Sequence, residues 1–151
     1  MLFKTHLAFG FLLGLFAIPL LNPDNQLLFM MIVLIGSIFS DIDHPKSKLG
    51  KKIKIIGFLF EHRGFFHSFI FLILIDTILF LFLKEYLILI YAFNIGFISH
   101  LIADIANNMG IMPFHPFSKF RISGFIKTGA LLETLLFFVL ILLDIYKLIT
   151  L

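Results

Sequence analysis

Five stretches of this chain are long enough for a helix and almost free of charge. Each begins or ends in a residue that could bind a metal, or lies beside one. The stretches are about Phe3–Leu21, Gln26–Asp41, Phe65–Leu83, Tyr86–Ala106 and Gly129–Leu148. Crossing a bilayer takes about 20 residues at 1.5 Å each. Over its 151 residues the chain is 60% hydrophobic, against roughly 45–50% in soluble domains, and 14% charged. Mean hydropathy is +1.08. The expected fold is an all-α integral membrane protein: a compact bundle of about five transmembrane helices, with residues 1–151 forming a single membrane-embedded domain.

The first two stretches reach spanning length only if their polar ends are included, which recesses those ends into the interfacial layer. No small-x-small cleavage pattern follows the first stretch, so it reads as a retained helix rather than a signal peptide. Asn22–Pro23–Asp24–Asn25 is a tight turn, and Lys84–Glu85 a tighter one. Residues 44–64 combine a Lys-rich stretch with an apolar one, as suits a segment lying on anionic headgroups. Residues 107–128, with Pro113 and Pro116, read as an interfacial or re-entrant loop.

Basic residues set the expected orientation. Lys4, Lys46, Lys48, Lys51, Lys52, Lys54, Arg63, Lys119, Arg121 and Lys127 fall on the N-terminal side, against Lys84 and Lys147 on the other. By the positive-inside rule this predicts a multi-pass protein of the cytoplasmic membrane, with its N-terminus and ligand-bearing face in the cytoplasm. The basic excess therefore points to membrane orientation, and no nucleic-acid partner is expected.

An up-and-down bundle would bring the polar helix ends together. His6 opens the first helix, Asp41 and Asp43 close the second, and His67 opens the third. His100 and Asp104 close the fourth, and Glu133 opens the fifth. His100 and Asp104 are spaced i,i+4 and share one helical face. Asp41-x-Asp43-His44 gathers oxygen and imidazole donors in a turn ended by Pro45, while His62 and His67 bracket Arg63–Gly64. With no cysteine, any metal must be held by nitrogen and oxygen; this donor set suits zinc, manganese or iron, in one to three ions. Taken singly, His6 or His115 could be an amphipathic interfacial side chain, and Asp41–Asp43 an ordinary helix end; their shared face argues for a site. Arg63 could bind a phosphate or belong to the positive-inside charge. Asp76 lies within the third helix, where a carboxyl hydrogen-bonded between helices, with Asn94 as one partner, is expected. Gly10-x3-Gly14 is a close-packing face, expected within the chain rather than at a dimer contact.

Three ordered blocks carry a family resemblance: Asp41-Ile-Asp-His-Pro-Lys-Ser-Lys-Leu-Gly50, His62-Arg-Gly-Phe-Phe-His-Ser68 and Ser99-His-Leu-Ile-Ala-Asp104. Through them the chain resembles the membrane-bound YdjM type, described as metal-dependent hydrolases with a suggested phospholipase role. The resemblance implies metal ligation or catalysis for Asp41, Asp43, His44, His62, His67, His100 and Asp104, with His6 as the N-terminal histidine. Phe66 stands where the family pattern has Thr, and Asn107–Asn108 replace its Thr–Pro; both departures sit beside the ligands.

The function expected is hydrolysis of a lipid phosphoester by metal-activated water, with a membrane lipid as substrate. Arg63 would stabilise developing charge, and Asp43 or Glu133 would act as general base. The alternatives are a metal or proton transporter using Asp76 and Asn94, and a non-catalytic metal clamp. Oligomeric state is not readable from the sequence.

Overall fold

The structure, a computed structural model, describes residues 1–43 and 63–151. The described residues form five α-helices: α1 Phe3–Leu21, α2 Gln26–Phe39, α3 Phe69–Leu83, α4 Leu87–Ala106 and α5 Leu131–Ile149. Short 3-10 turns at Ser40–Asp43, Phe65–His67 and Lys84–Tyr86 extend or link them. The described residues contain no β-strand, only isolated bridges pairing Asn107 with Ile126 and Ile111 with Ile122 in the connection before α5.

Local chemistry explains the boundaries. Asn22 takes the left-handed conformation (φ 45°) and donates its N–H back to Ile18 O, a common helix stop; Pro23 then cannot continue the helix. The Asn25 side chain caps α2 by accepting from Leu28 N at 2.9 Å, and Ser68 caps α3 by accepting from Phe71 N at 3.1 Å. Each cap satisfies an amide that a helix start leaves open. The third apolar stretch is therefore broken at Ser68, which leaves His67 in a 3-10 turn ahead of the helix.

By length and composition, α1 is long and apolar enough to cross a membrane. The expectation of five spans goes further than that. At 14 residues, α2 is only about 21 Å long, and α5 carries Glu133, Asp144 and Lys147.

The bundle centres on α2 and α4. α1 packs on both and on α5, and α3 packs chiefly on α4. Two glycines set the α2–α4 separation. A methyl at Gly36 would strike the Phe93 carbonyl, and one at Gly96 would strike the Val33 carbonyl. Backbone atoms are the obstacle in both cases, so the helices touch main chain to main chain, the use of small residues expected where helices pack in lipid. Gly10 meets Ser37 and Ser99, and Gly14 meets Met30 and Val33; the Gly10-x3-Gly14 face is thus an intramolecular contact. Phe29, Val33, Ala92 and Phe97, each 0% exposed, fill the interior beside these crossings. The outer surface is apolar too, with Leu20 83%, Phe82 81% and Leu142 67% exposed, a surface that a monomeric soluble protein rarely carries.

Gly96→Ala is expected to destabilise the fold by about 2–3 kcal/mol, the cost of overpacking a contact that cannot relax. Thermal unfolding in detergent checks this. An unchanged midpoint would mean that α2 and α4 can separate without loss.

Candidate metal centre

The helix ends converge on Asp104, which is 0% exposed at the end of α4. Its Oδ1 lies 2.6 Å from the Met1 amino group, 3.1 Å from Arg63 Nη2 and 3.4 Å from His6 Nε2. Its Oδ2 lies 3.5 Å from His67 Nε2 and 3.7 Å from His100 Nε2. Three separate chain segments thus supply cationic or imidazole groups to one carboxylate. A buried carboxylate stripped of such partners would carry a penalty of several kcal/mol.

His100 is oriented from behind. Its Nδ1 lies 2.8 Å from the Ser37 carbonyl oxygen, which can only accept, so the proton sits on Nδ1 and a neutral ring turns its Nε2 lone pair to the centre. Ser37 can do this because it lies in the last turn of α2, where carbonyls lack an intrahelical donor. The His6 ring stacks on His100 with centroids 3.9 Å apart and planes 12° from parallel. Among the described residues His6 Nδ1 has no hydrogen-bond partner and Nε2 has only its 3.4 Å approach to Asp104 Oδ1, although the side chain is buried. Unsatisfied imidazole nitrogens in a dry interior are costly unless something binds them.

The spacing of the donors fits an ion. His67 Nε2 and His100 Nε2 are 3.2 Å apart, and each lies 3.5 or 3.7 Å from Asp104 Oδ2. The centre of that triangle is about 2.0 Å from each corner, the length of a zinc–imidazole or zinc–carboxylate bond. Asp41 adds a further oxygen 3.9 Å from His100 Nε2, with its side chain 16% exposed. Two overlapping donor groups result, His6–His100–Asp104 and Asp41–His67–His100, each with its ligand atoms within 4.8 Å of one another.

The other anticipated residues lie differently. Arg63 is buried, with φ +62°, a left-handed backbone that costs a non-glycine residue roughly 1–2 kcal/mol. Besides Asp104 it donates to Asn107 Oδ1 and Gly110 O, both at 3.3 Å. Glu133 is fully buried, but its two oxygens accept the backbone N–H groups of Leu2 and Gly129; it thereby ties the start of α1 to the start of α5. Asp43 ends the 3-10 turn after α2. Its side chain, together with His44, His62 and the Lys-rich stretch, lies outside the described residues. His115 is half-buried in the loop before α5 and belongs to neither donor group. Within α3, Asp76 accepts from Asn94 Nδ2 at 3.1 Å, the interhelical contact expected of it.

Two contributors are not evident from the residue pattern. Ser37 acts through its carbonyl, which side-chain chemistry does not announce. Asn107, also fully buried, joins Arg63 to Thr128 Oγ1, which it reaches at 2.7 Å. Its position just past the end of α4, three residues after Asp104, was the available signal.

The unsubstituted protein is expected to purify with a bound transition metal, which His100→Ala loses and His115→Ala retains. Elemental analysis of the purified proteins decides this; equal metal in wild type and His100→Ala would remove His100 from the ligand set.

Residues 1–150 match the family described as YdjM inner membrane protein. Among individual relatives, the uncharacterized protein YvsG of Bacillus subtilis (strain 168) is 32% identical over 106 residues, covering 67% of this chain and 66% of that protein. The inner membrane proteins YdjM of Escherichia coli (strain K12) and Shigella flexneri are each 27% identical over 121 residues, covering 72% of this chain and 62% of theirs. The matched part thus spans just under two thirds of these relatives' length. No solved structure matches. A match over nearly the whole chain, with the donor residues held at one end of the helices, makes this chain a member of the YdjM inner membrane protein family.

Proposed function

We propose that this protein is a multi-pass membrane hydrolase that uses a divalent transition metal, zinc first, to cleave a phosphoester of a membrane lipid. The observation that carries the reading is the triangle of His67, His100 and Asp104 donors with the Arg63 guanidinium at its side. When bound, such an ion supplies Lewis-acid activation of water and of a phosphoryl oxygen. Arg63 donates to a second phosphoryl oxygen and offsets the charge that develops there. A water oxygen forms the new P–O bond and the ester P–O bond breaks. The released proton passes to a carboxylate of the Asp41–Asp43 turn and on to the departing alkoxide. Ser37 holds His100 in the required tautomer throughout. The apolar outer surface supports a lipid-borne substrate, since an enzyme embedded in the bilayer meets that class first.

A transporter is the second reading, favoured by the Asp76–Asn94 pair farther along α3 and α4. Intramembrane carboxyls often mark ion paths.

Zinc-loaded protein in nanodiscs containing phosphatidylglycerol is expected to release a water-soluble headgroup product. Arg63→Ala should lower kcat by about 10²–10³-fold, the typical loss of one charge-stabilising donor, with metal content retained. Asp76→Asn should leave turnover intact. Absence of lipid cleavage, together with metal uptake into liposomes that depends on Asp76, would replace the hydrolase reading with transport.

The basic asymmetry supports a cytoplasmic N-terminus and a cytoplasmic metal centre. Single cysteines introduced at Lys119 and Lys84 are expected to label from the cytoplasmic and the opposite side respectively. The reverse pattern would invert the orientation.

A further inference from the structure

We propose that the cavity between α1, α4 and α5 receives an acyl chain of a membrane glycerophospholipid and so presents the polar end of that lipid to the metal centre. The inference rests on the hydrolase reading and adds to it how the substrate is held. The cavity measures about 210 Å³, and the surface it offers is wholly apolar, from residues that include Phe9, Ala103, Leu136 and Leu140. An apolar cavity of about 150 Å³ stays dry and binds benzene, so this one accommodates a segment of alkyl chain and offers nothing to a polar ligand.

Its position relative to the donors is set by helix neighbours. Thr5 and Ala103 line the cavity and directly precede His6 and Asp104. Met1 lines it as well, while its amino group holds Asp104. One wall therefore separates an alkyl pocket from a phosphoester site, the spacing of tail and headgroup in an amphiphile.

Access is lateral. α5 packs on α1 and makes little direct contact with α4, and Ile102, at the cavity's edge on α4, is 45% exposed. The neighbouring outer flank of α5 is apolar, with Leu132 and Leu135 each 52% exposed. A mouth set in such a surface opens toward acyl chains rather than water.

The test is photo-cross-linking with a phosphatidylglycerol bearing a diazirine near the end of one chain, in phosphatidylcholine nanodiscs holding the full chain. Adducts are expected on the peptides containing Ile126, Leu136 and Leu140. Ala106→Phe, which fills the cavity, should cut their yield about tenfold or more, the equivalent of displacing two methylenes. Leu140→Ala, which enlarges the cavity, should keep them and favour a bulkier chain-end probe; it covers the case in which the filled variant does not fold. Adducts spread over the outer faces of α3 and α5, unchanged in both variants, would overturn the proposal. The two readings separate cleanly. Cavity adducts without any lipid cleavage would sink the hydrolase and keep the acyl site, and cleavage without cavity adducts would do the reverse.

Discussion

A single buried carboxylate organises this molecule. Asp104 sits in a dry interior, where a lone charge is prohibitively costly, and its partners come from the start of α1, the segment before α3 and the preceding turn of α4 itself. Each partner brings a chain segment with it, so the electrostatic demand of one side chain helps hold the end of the bundle closed. The same convergence gathers two overlapping donor groups, His6–His100–Asp104 and Asp41–His67–His100, around one end of the bundle. Stability and candidate chemistry are therefore one arrangement here.

That arrangement depends on how closely α2 and α4 approach. With Gly36 and Gly96 facing backbone carbonyls, the last turn of α2 lies against α4, and the Ser37 carbonyl can reach His100 Nδ1. A wider separation would draw the Ser37 carbonyl away from His100 Nδ1. The glycine contacts and the donor geometry thus belong to one design, in which a backbone group orients a candidate donor, as partners behind metal-binding histidines commonly do.

Short helices add a second consequence. Because α2 ends after 14 residues, its closing turn brings Asp41 to the other donors instead of carrying it past them. Glu133 also acts on the architecture of this end. Its oxygens hold amides of Leu2 and Gly129, so a residue resembling a catalytic carboxylate aligns α1 with α5. The cavity lies between those helices and α4, with which α5 makes little direct contact.

Much of this was legible in the residues. The apolar stretches, with the turns at Asn22–Asn25 and Lys84–Glu85 between them, set the number of helices and most of their ends, whereas the third helix starts after Ser68 rather than at Phe65 and the second ends at Phe39 rather than Asp41. Up-and-down connectivity then required His6, Asp41, His67, His100 and Asp104 to share one end, because position along a helix follows from counting residues. Rotation about each helix axis does not. Whether a side chain at that end faces its neighbours or a backbone amide is decided by packing across the glycine contacts, and no local pattern encodes that. Only the tertiary structure could bring His67, His100 and Asp104 into one triangle, turn Arg63 onto Asp104, assign Glu133 to backbone amides and recruit the Ser37 carbonyl. Sequence determined which groups arrive at the centre; the mutual rotation of the helices decided which of them meet.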